Sequence, residues 1–379
     1  MLFKKTILHT VCVLFVLVIF LDFVSHVQAQ DDKQSAFKFS GDFRLRYENT
    51  SNQILGPPLP DNEDARNRQV IRLRAAATKQ VNDMIKVGAR LTTGSSDDPN
   101  STDVTLGSFV NDLQVSLDRL YAEYRNKGLF LTGGKFPNPF RRTDLVWDGD
   151  VNPQGLAARY TFQNTGQITP TFTGSYLIVD EQTLAKDSYM WGGQAALSIN
   201  TESGVKVSLA GGYFDYTIAG LSAAGPGDTR TNILTPGRSA YVSDFDLLDI
   251  IAQIDLPGFN EHYPIRIVGD YVKNLGAKVD QDKGFAFDVF FGKTSKKKDL
   301  RFRYGYAQLE TDAVLTAFSH DNTTIASNYK QHTVTIDYVA LDNTILNLTW
   351  YLHKRKELPF GDTDDDFVSR LRLNALVRL

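Results

Sequence analysis

The side chains best suited to chemistry in this sequence are basic residues, mostly arginines, separated by two or another even number of positions. Arg44 and Arg46 form one pair. Arg66, Arg68, Arg72 and Arg74 form a longer series, Lys86 and Arg90 a third, and Arg370, Arg372 and Arg378 a fourth. A spacing of two puts side chains on one face of an extended strand. Rows of guanidinium groups make and break no bonds; they hold and sort anions and water. Acidic partners are present: Asp42, Glu48 and Glu123 share the polar faces, and Asp144, Asp148 and Asp150 sit together in one irregular segment. The usual catalytic spacings are absent. There is no G-x-S-x-G, no H-E-x-x-H and no complete Walker A, because Gly292-Lys293-Thr294 lacks the earlier glycine. His262, His320, His332 and His353 have no ligand-like spacing. Asp97, Asp98, Asn100 and Asp103, or Asp362, Asp364, Asp365 and Asp366, carry oxygens able to ligate calcium, but solvated surface loops are the better reading of both. No cofactor and no metal are therefore expected. Lys296, Lys297 and Lys298 read as a solvated turn, and no nucleic acid is expected as partner.

Strands must position these rows, and alternation of apolar and polar residues is the dominant pattern from Ala36 onward. Residues 36–49 set Phe37, Phe39, Phe43, Leu45 and Tyr47 against Lys38, Ser40, Asp42, Arg44, Arg46 and Glu48. The same rhythm predicts further strands at 66–79, 84–93, 113–125, 128–136, 154–162, 168–179, 188–199 and 204–216. Others follow at 244–256, 264–274, 284–293, 299–309, 329–340, 344–353 and 367–379. These are sixteen strands, joined by connections alternately long and short, as in a closed antiparallel transmembrane barrel with turns at one end and loops at the other. In lipid every backbone donor and acceptor needs a partner, so such a sheet has to close on itself.

Closure sets the last strand beside the first. Leu371, Leu373, Ala375, Val377 and Leu379 then face out, and Arg370, Arg372 and Arg378 face in. The last strand and the first three form one basic wall inside the lumen. The segment 137–152 is too polar and too rich in proline for a core element, yet it holds Phe140, Trp147, Arg141 and Arg142. It reads as a loop folded inward to narrow the lumen. Its Asp144, Asp148 and Asp150, set across from the wall, would create a transverse field that sorts ions. A plainer reading has the arginines paired with Asp42, Glu48 and Glu123, stiffening the wall. Aromatic residues agree with a membrane barrel: Tyr47, Tyr213, Tyr216, Tyr271, Tyr304, Tyr306 and Trp350 fall near long-loop ends, and Tyr124, Tyr160, Phe162 and Tyr338 near short-turn ends.

Residues 1–29 read as a cleaved targeting segment, with Lys4 and Lys5, an apolar run from Thr6 to Leu21, and Val27-Gln28-Ala29 as the processing site. Residues 30–379 then form one barrel domain. The single cysteine, Cys12, lies in the targeting segment, so the rest of the chain has no thiol to pair. No later stretch approaches the roughly 20 apolar residues of a spanning helix.

Several short stretches resemble a bacterial family known as putative porins, and more loosely the general and phosphate-selective porins. They are Gly41-Asp42-Phe43-Arg44-Leu45-Arg46-Tyr47-Glu48, Arg90-Leu91-Thr92-Thr93-Gly94, Gly134-Lys135-Phe136-Pro137-Asn138-Pro139-Phe140 and Leu145-Val146-Trp147-Asp148-Gly149-Asp150. The likeness is most specific over 41–160. It implies a sixteen-stranded pore in the bacterial outer membrane, assembled as a homotrimer among membrane lipid and lipopolysaccharide, passing small hydrophilic solutes and ions by diffusion. Leu379 stands where many such proteins end in an aromatic residue. The expected selectivity residues are Arg44, Arg46, Arg68, Arg72, Arg74, Arg90 and Arg372, set against Asp144, Asp148 and Asp150. Two other readings are an adhesin or surface receptor with a plugged lumen, working through loops 217–243 and 310–328, and a barrel-borne lipid hydrolase.

Overall fold

A computed structural model of the chain describes residues 36–51, 65–98, 100–107, 109, 111–163, 166–222, 224–358 and 366–379. The targeting segment expected at 1–29, and Asp362, Asp364 and Asp365, lie outside the described residues. The strands are β1 (Lys38–Ser51), β2 (Ala65–Gln80), β3 (Ile85–Thr93), β4 (Val104–Thr105), β5 (Val115–Asn126), β6 (Leu129–Lys135), β7 (Gln154–Thr161), β8 (Ile168–Asp180) and β9 (Ser188–Asn200). They continue as β10 (Lys206–Thr217), β11 (Phe245–Leu256), β12 (Ile265–Asn274), β13 (Lys283–Gly292), β14 (Leu300–Leu309), β15 (Tyr329–Leu341), β16 (Thr344–Arg355) and β17 (Val368–Arg378). One helical turn, Pro226–Thr229, lies between β10 and β11.

Sixteen of these strands make one closed antiparallel ring. Each pairs with its neighbour in sequence, and β17 returns to β1 in a register from Asp42↔Arg378 to Ser51↔Ser369. The sixteen expected strands are all there, their ends shifted by no more than the step from 36 to Lys38 or from 353 to Arg355. The addition is β4, from the segment 94–111 read as loop. It pairs with β2 at Val70↔Thr105 and Ile71↔Val104, beyond the stretch of β2 that β3 occupies, which begins at Arg74↔Thr92. It stands outside the ring and satisfies backbone groups of β2 that β3 leaves open.

The period of two explains which way the side chains point. Phe39, Leu45, Tyr47, Leu73, Leu120, Leu156, Trp191 and Leu373 are exposed on the outer face. Asp42, Arg46, Glu48, Arg72, Arg90, Thr333, Asp337 and Arg372 are buried on the inner one. Such an inside-out pattern suits hydrocarbon outside and a polar lumen. Among the described residues no helix is long and apolar enough to cross a membrane.

The apolar core lies within the lumen. Phe136, Phe140, Leu145, Val146, Trp147 and Val151 of the inward segment pack against Met190, Phe214, Tyr216, Phe245 and Leu247 of the wall and against Val314 and Leu315 of the loop after β14. Tyr216, expected in an interfacial girdle, instead faces inward and is buried against Trp147, with ring centroids 6.4 Å apart. Tyr213, of the opposite parity, is the exposed one.

Candidate functional site in the lumen

Glycines let the inward segment leave the wall. Gly134 near the end of β6 and Gly155 at the start of β7 are register partners, with φ of 109° and 140°. A side chain at Gly134 would collide with the Leu120 carbonyl, and one at Gly155 with that of Tyr176. Only glycine tolerates both the angle and the approach. Above them, Phe136 N donates to Pro153 O at 3.0 Å and closes the neck of the loop. The loop then organises itself through short-range side-chain bonds. Phe140 N donates to Asn138 Oδ1, Asp150 N to Asp148 Oδ1 and Asn152 Nδ2 to Asp150 O. Asn and Asp in such turns replace the ladder bonds that a strand would have supplied.

The loop is anchored across the lumen at several points. Gln194 on β9 grips the Arg141 backbone from both sides, accepting from its N at 2.8 Å and donating to its O at 2.7 Å. Thr143 donates to Asp270 on β12. Trp147 stands edge-on to Phe214 at 5.8 Å and beside Phe318 at 5.4 Å. Asp148 N donates to Phe318 O at 2.8 Å.

A second loop, 310–328, is also folded in. Ala313, Val314, Thr316, Ser319 and Ser327 are fully buried. Arg230 donates to three of its carbonyls, those of Thr316, Ser319 and His320. Asn232 donates to Thr311 O and Val314 O and accepts from Thr316 N. An apolar cavity of ≈280 Å³ remains between the two inward loops and residues 218–241, lined by Trp147, Met190, Tyr216, Leu221, Leu315 and Phe318.

Arg44, Arg46, Arg68, Arg72, Arg74, Arg90 and Arg372 of β1, β2, β3 and β17 each have a carboxylate partner. Arg72 and Arg74 share Asp42, at 2.7 and 2.6 Å. Arg68 and Arg372 share Glu48, at 2.5 and 2.6 Å, with Arg370 at 3.7 Å. Arg44 and Arg46 share Asp103, Arg46 at 2.6 Å. Arg90 is paired with Asp118. Asn322 of the second inward loop adds acceptors to Arg370 and Arg372 at 3.1 and 2.8 Å.

Of the three loop aspartates, Asp150 meets the wall directly, 3.0 Å from Arg74. The other two stand elsewhere than the sequence pattern suggested. Asp144 is half exposed beside Arg142 at 3.8 Å and lines a small polar recess with Asp288 and Arg303 of β13 and β14. Asp148 is buried beneath loop 310–328. Burial, reinforced by Asp144, Asp321 and Asp150, pushes its carboxyl well above the usual carboxylate range. An open gap with all three acids facing the arginines is therefore not what is formed.

Two carboxylates that matter were not anticipated in this role. The sequence pattern alone makes Asp103 a solvated loop residue or a calcium ligand. Burial would raise its pKa, but the Arg46 and Arg44 guanidiniums hold it at about 2. Asp118 and Arg119 both face inward because the β3–β5 register slips between Arg90 and Leu91. Arg119 donates to Asn152 Oδ1 at 2.7 Å. The bulge leaves a mark in the sequence: the adjacent polar residues Asp118 and Arg119 interrupt the alternation between the outward Leu117 and Leu120. Among the described residues no cluster of His, Cys, Asp or Glu is arranged to hold a metal ion.

With this geometry in view, residues 46–224 match the model of a family described as putative porin. The resemblance read from the motifs between 41 and 160 thus holds over nearly half of the chain. The fold is similar to that of the Pseudomonas putida protein OprB, with a TM-score of 0.58 and 11% identity over 90% of this chain and 94% of that one. It is also similar to a mutant of the Rh. blastica porin, with a TM-score of 0.50 and 10% identity over 91% and 100% of the two chains. At such identities the likeness is one of fold: a closed sixteen-stranded porin barrel. No curated protein matches the sequence.

Proposed function

We propose that this protein is an outer-membrane channel through which ions and small hydrophilic solutes diffuse passively. The observation that carries the proposal is the closed ring with lipid-compatible residues outside and ion-paired arginines within. Arg44, Arg46, Arg68, Arg72, Arg74, Arg90 and Arg372 pave one side of the route, with Asp150 among them. Their pairing to Asp42, Glu48, Asp103 and Asp118 holds the wall in shape and offsets much of its charge. The protein carries out no chemistry of its own in this reading. Trimer formation belongs to it through the family resemblance, and chemical crosslinking in native membranes tests that part.

A second reading has one observation in its favour. The loops 218–244 and 310–328 do not project as an adhesin's would; they interlock inside the barrel through Arg230 and Asn232. A lumen filled by them would be plugged. Planar-bilayer recording of refolded protein decides between the two. Stepwise conductance supports the channel; silence from a barrel shown to be folded by heat-modifiable migration supports the plug.

A further inference from the structure

Below the first inward loop, at the short-turn end of the barrel, lies a polar chamber of ≈850 Å³. Its roof is the segment 138–142 and its sides come from the β5–β6 turn and from β7, β8, β9 and β11. The charged residues lining it are Arg125, Lys127, Arg141, Arg142 and Arg159; none is acidic. Arg125 shares its charge with Glu123 at 3.0 Å, and Arg142 with Asp144 at 3.8 Å. For Arg141, Arg159 and Lys127 no carboxylate lies within 4.0 Å among the described residues. In the arginine wall, by contrast, Arg44, Arg46, Arg68, Arg72, Arg74, Arg90 and Arg372 each have a carboxylate partner. Uncompensated positive charge in a partly enclosed space attracts anions more strongly than the same charge facing open solvent.

The chamber is also built. The buried Gln194 fixes the Arg141 backbone through two hydrogen bonds. The guanidiniums of Arg125 and Arg159 both lie 4.7 Å from the Phe130 ring centroid, which orients them. Thr161, Thr171 and Ser198 add hydroxyl groups to the lining. Fixed guanidinium groups beside hydroxyls match the oxygens of a carboxylate or a phosphate.

We propose that this chamber is an anion-binding station and the main source of anion preference in the channel, taking small carboxylates or phosphates. The proposal rests on the channel reading for its transport consequence, but its binding site can be tested without conduction. Two measurements on the full-length protein do this. The first is reversal potential in planar bilayers under a KCl gradient, comparing wild type with the R141Q/R159Q double variant. The expected result is a fall in the chloride-to-potassium permeability ratio of roughly threefold or more. K297Q, which removes one charge from a turn at the same end but outside the chamber, leaves the ratio unchanged. R141K/R159K, which keeps the charge, retains most of the preference. The second is calorimetric titration of detergent-solubilised protein with inorganic phosphate and, separately, with succinate. Binding of either one that R141Q/R159Q abolishes supports the site and says which anion class it favours. A folded double variant with unchanged binding and unchanged permeability ratio overturns the proposal. A protein that never conducts defeats the channel reading, while titration still decides the site.

Discussion

Asp103 reaches from a loop into the lumen and touches two arginines of one strand, so its removal separates wall structure from wall charge. In D103N the amide keeps a hydrogen bond but no longer offsets Arg44 and Arg46. The expected outcome is a shift of reversal potential toward anions, read under a KCl gradient. The same contact has an acid signature. Its folded pKa, about 2, lies below the unfolded carboxylate's value of about 3.9, so its contribution is complete above about pH 4. That contribution is lost as pH falls from about 4 through about 2. Heat-modifiable migration after incubation at pH 2.5 and pH 5 should show the loss in wild type and a smaller difference in D103N. Trp147 works by packing instead. It is 1% exposed and wedged among Phe214, Tyr216 and Phe318. Replacing it with alanine should cost the inward loop about 3–5 kcal/mol, the range for deleting a buried aromatic. Hydrogen exchange over 136–153 measures this, and a protection pattern equal to wild type would contradict the packing.

The inward loops are held by different means, and the difference is testable. Loop 136–153 is an extension of two strands, pinned at its neck and, across the lumen, by Gln194 and Asp270. Loop 310–328 is bound through its backbone carbonyls by Arg230 and Asn232, and at its tip by His320. That histidine accepts from Asn322 N on Nδ1 at 3.2 Å, which places its proton on Nε2, 2.8 Å from the Tyr329 hydroxyl. Burial, with the nearby Arg230, lowers its pKa to about 3. The folded loop therefore favours neutral imidazole. This stabilisation is complete above the ordinary histidine value of about 6.5 and is lost as pH falls toward about 3. Amide protection across 313–320 should decline between pH 7 and pH 4, and H320Q should remove most of that pH dependence. Protection independent of pH in wild type would mean that His320 is not a restraint on the loop.

At the scale of the whole molecule, stability depends on one seam. β1 and β17 are the chain-distant pair, and closing them requires the entire sheet to have formed. Arg372 reaches Glu48 across that seam, and Arg370 donates to Thr50 at 3.1 Å. A variant lacking residues 366–379 leaves two unpaired edges, which hydrocarbon does not tolerate. It should show no heat-modifiable folded band in detergent, whereas the D103N barrel, with its ring intact, should. Breaking the seam's charge pair alone, as in R372S, leaves Glu48 buried with fewer partners and should lower the unfolding temperature without abolishing closure.

Alternation alone determined the sixteen strands of the ring and the inner and outer faces of most residues along them, because a period of two is a local property that lipid outside and polar lumen inside enforce. Closure followed from the same pattern, since an open sheet in lipid would strand its edge groups. The arginine rows were legible for that reason, and so was the inward loop, whose prolines and aspartates interrupt the pattern visibly. What only the tertiary structure decided are the partners. Asp103 comes to Arg44 and Arg46 through a loop, and Asp148 is buried under a loop far away in sequence. The basic chamber brings together Arg141 and Arg159, which lie on a loop and a strand, because the loop folds over the turn end of the barrel. Such encounters depend on how segments distant along the chain pack in the lumen, and nothing in a short-range period encodes them.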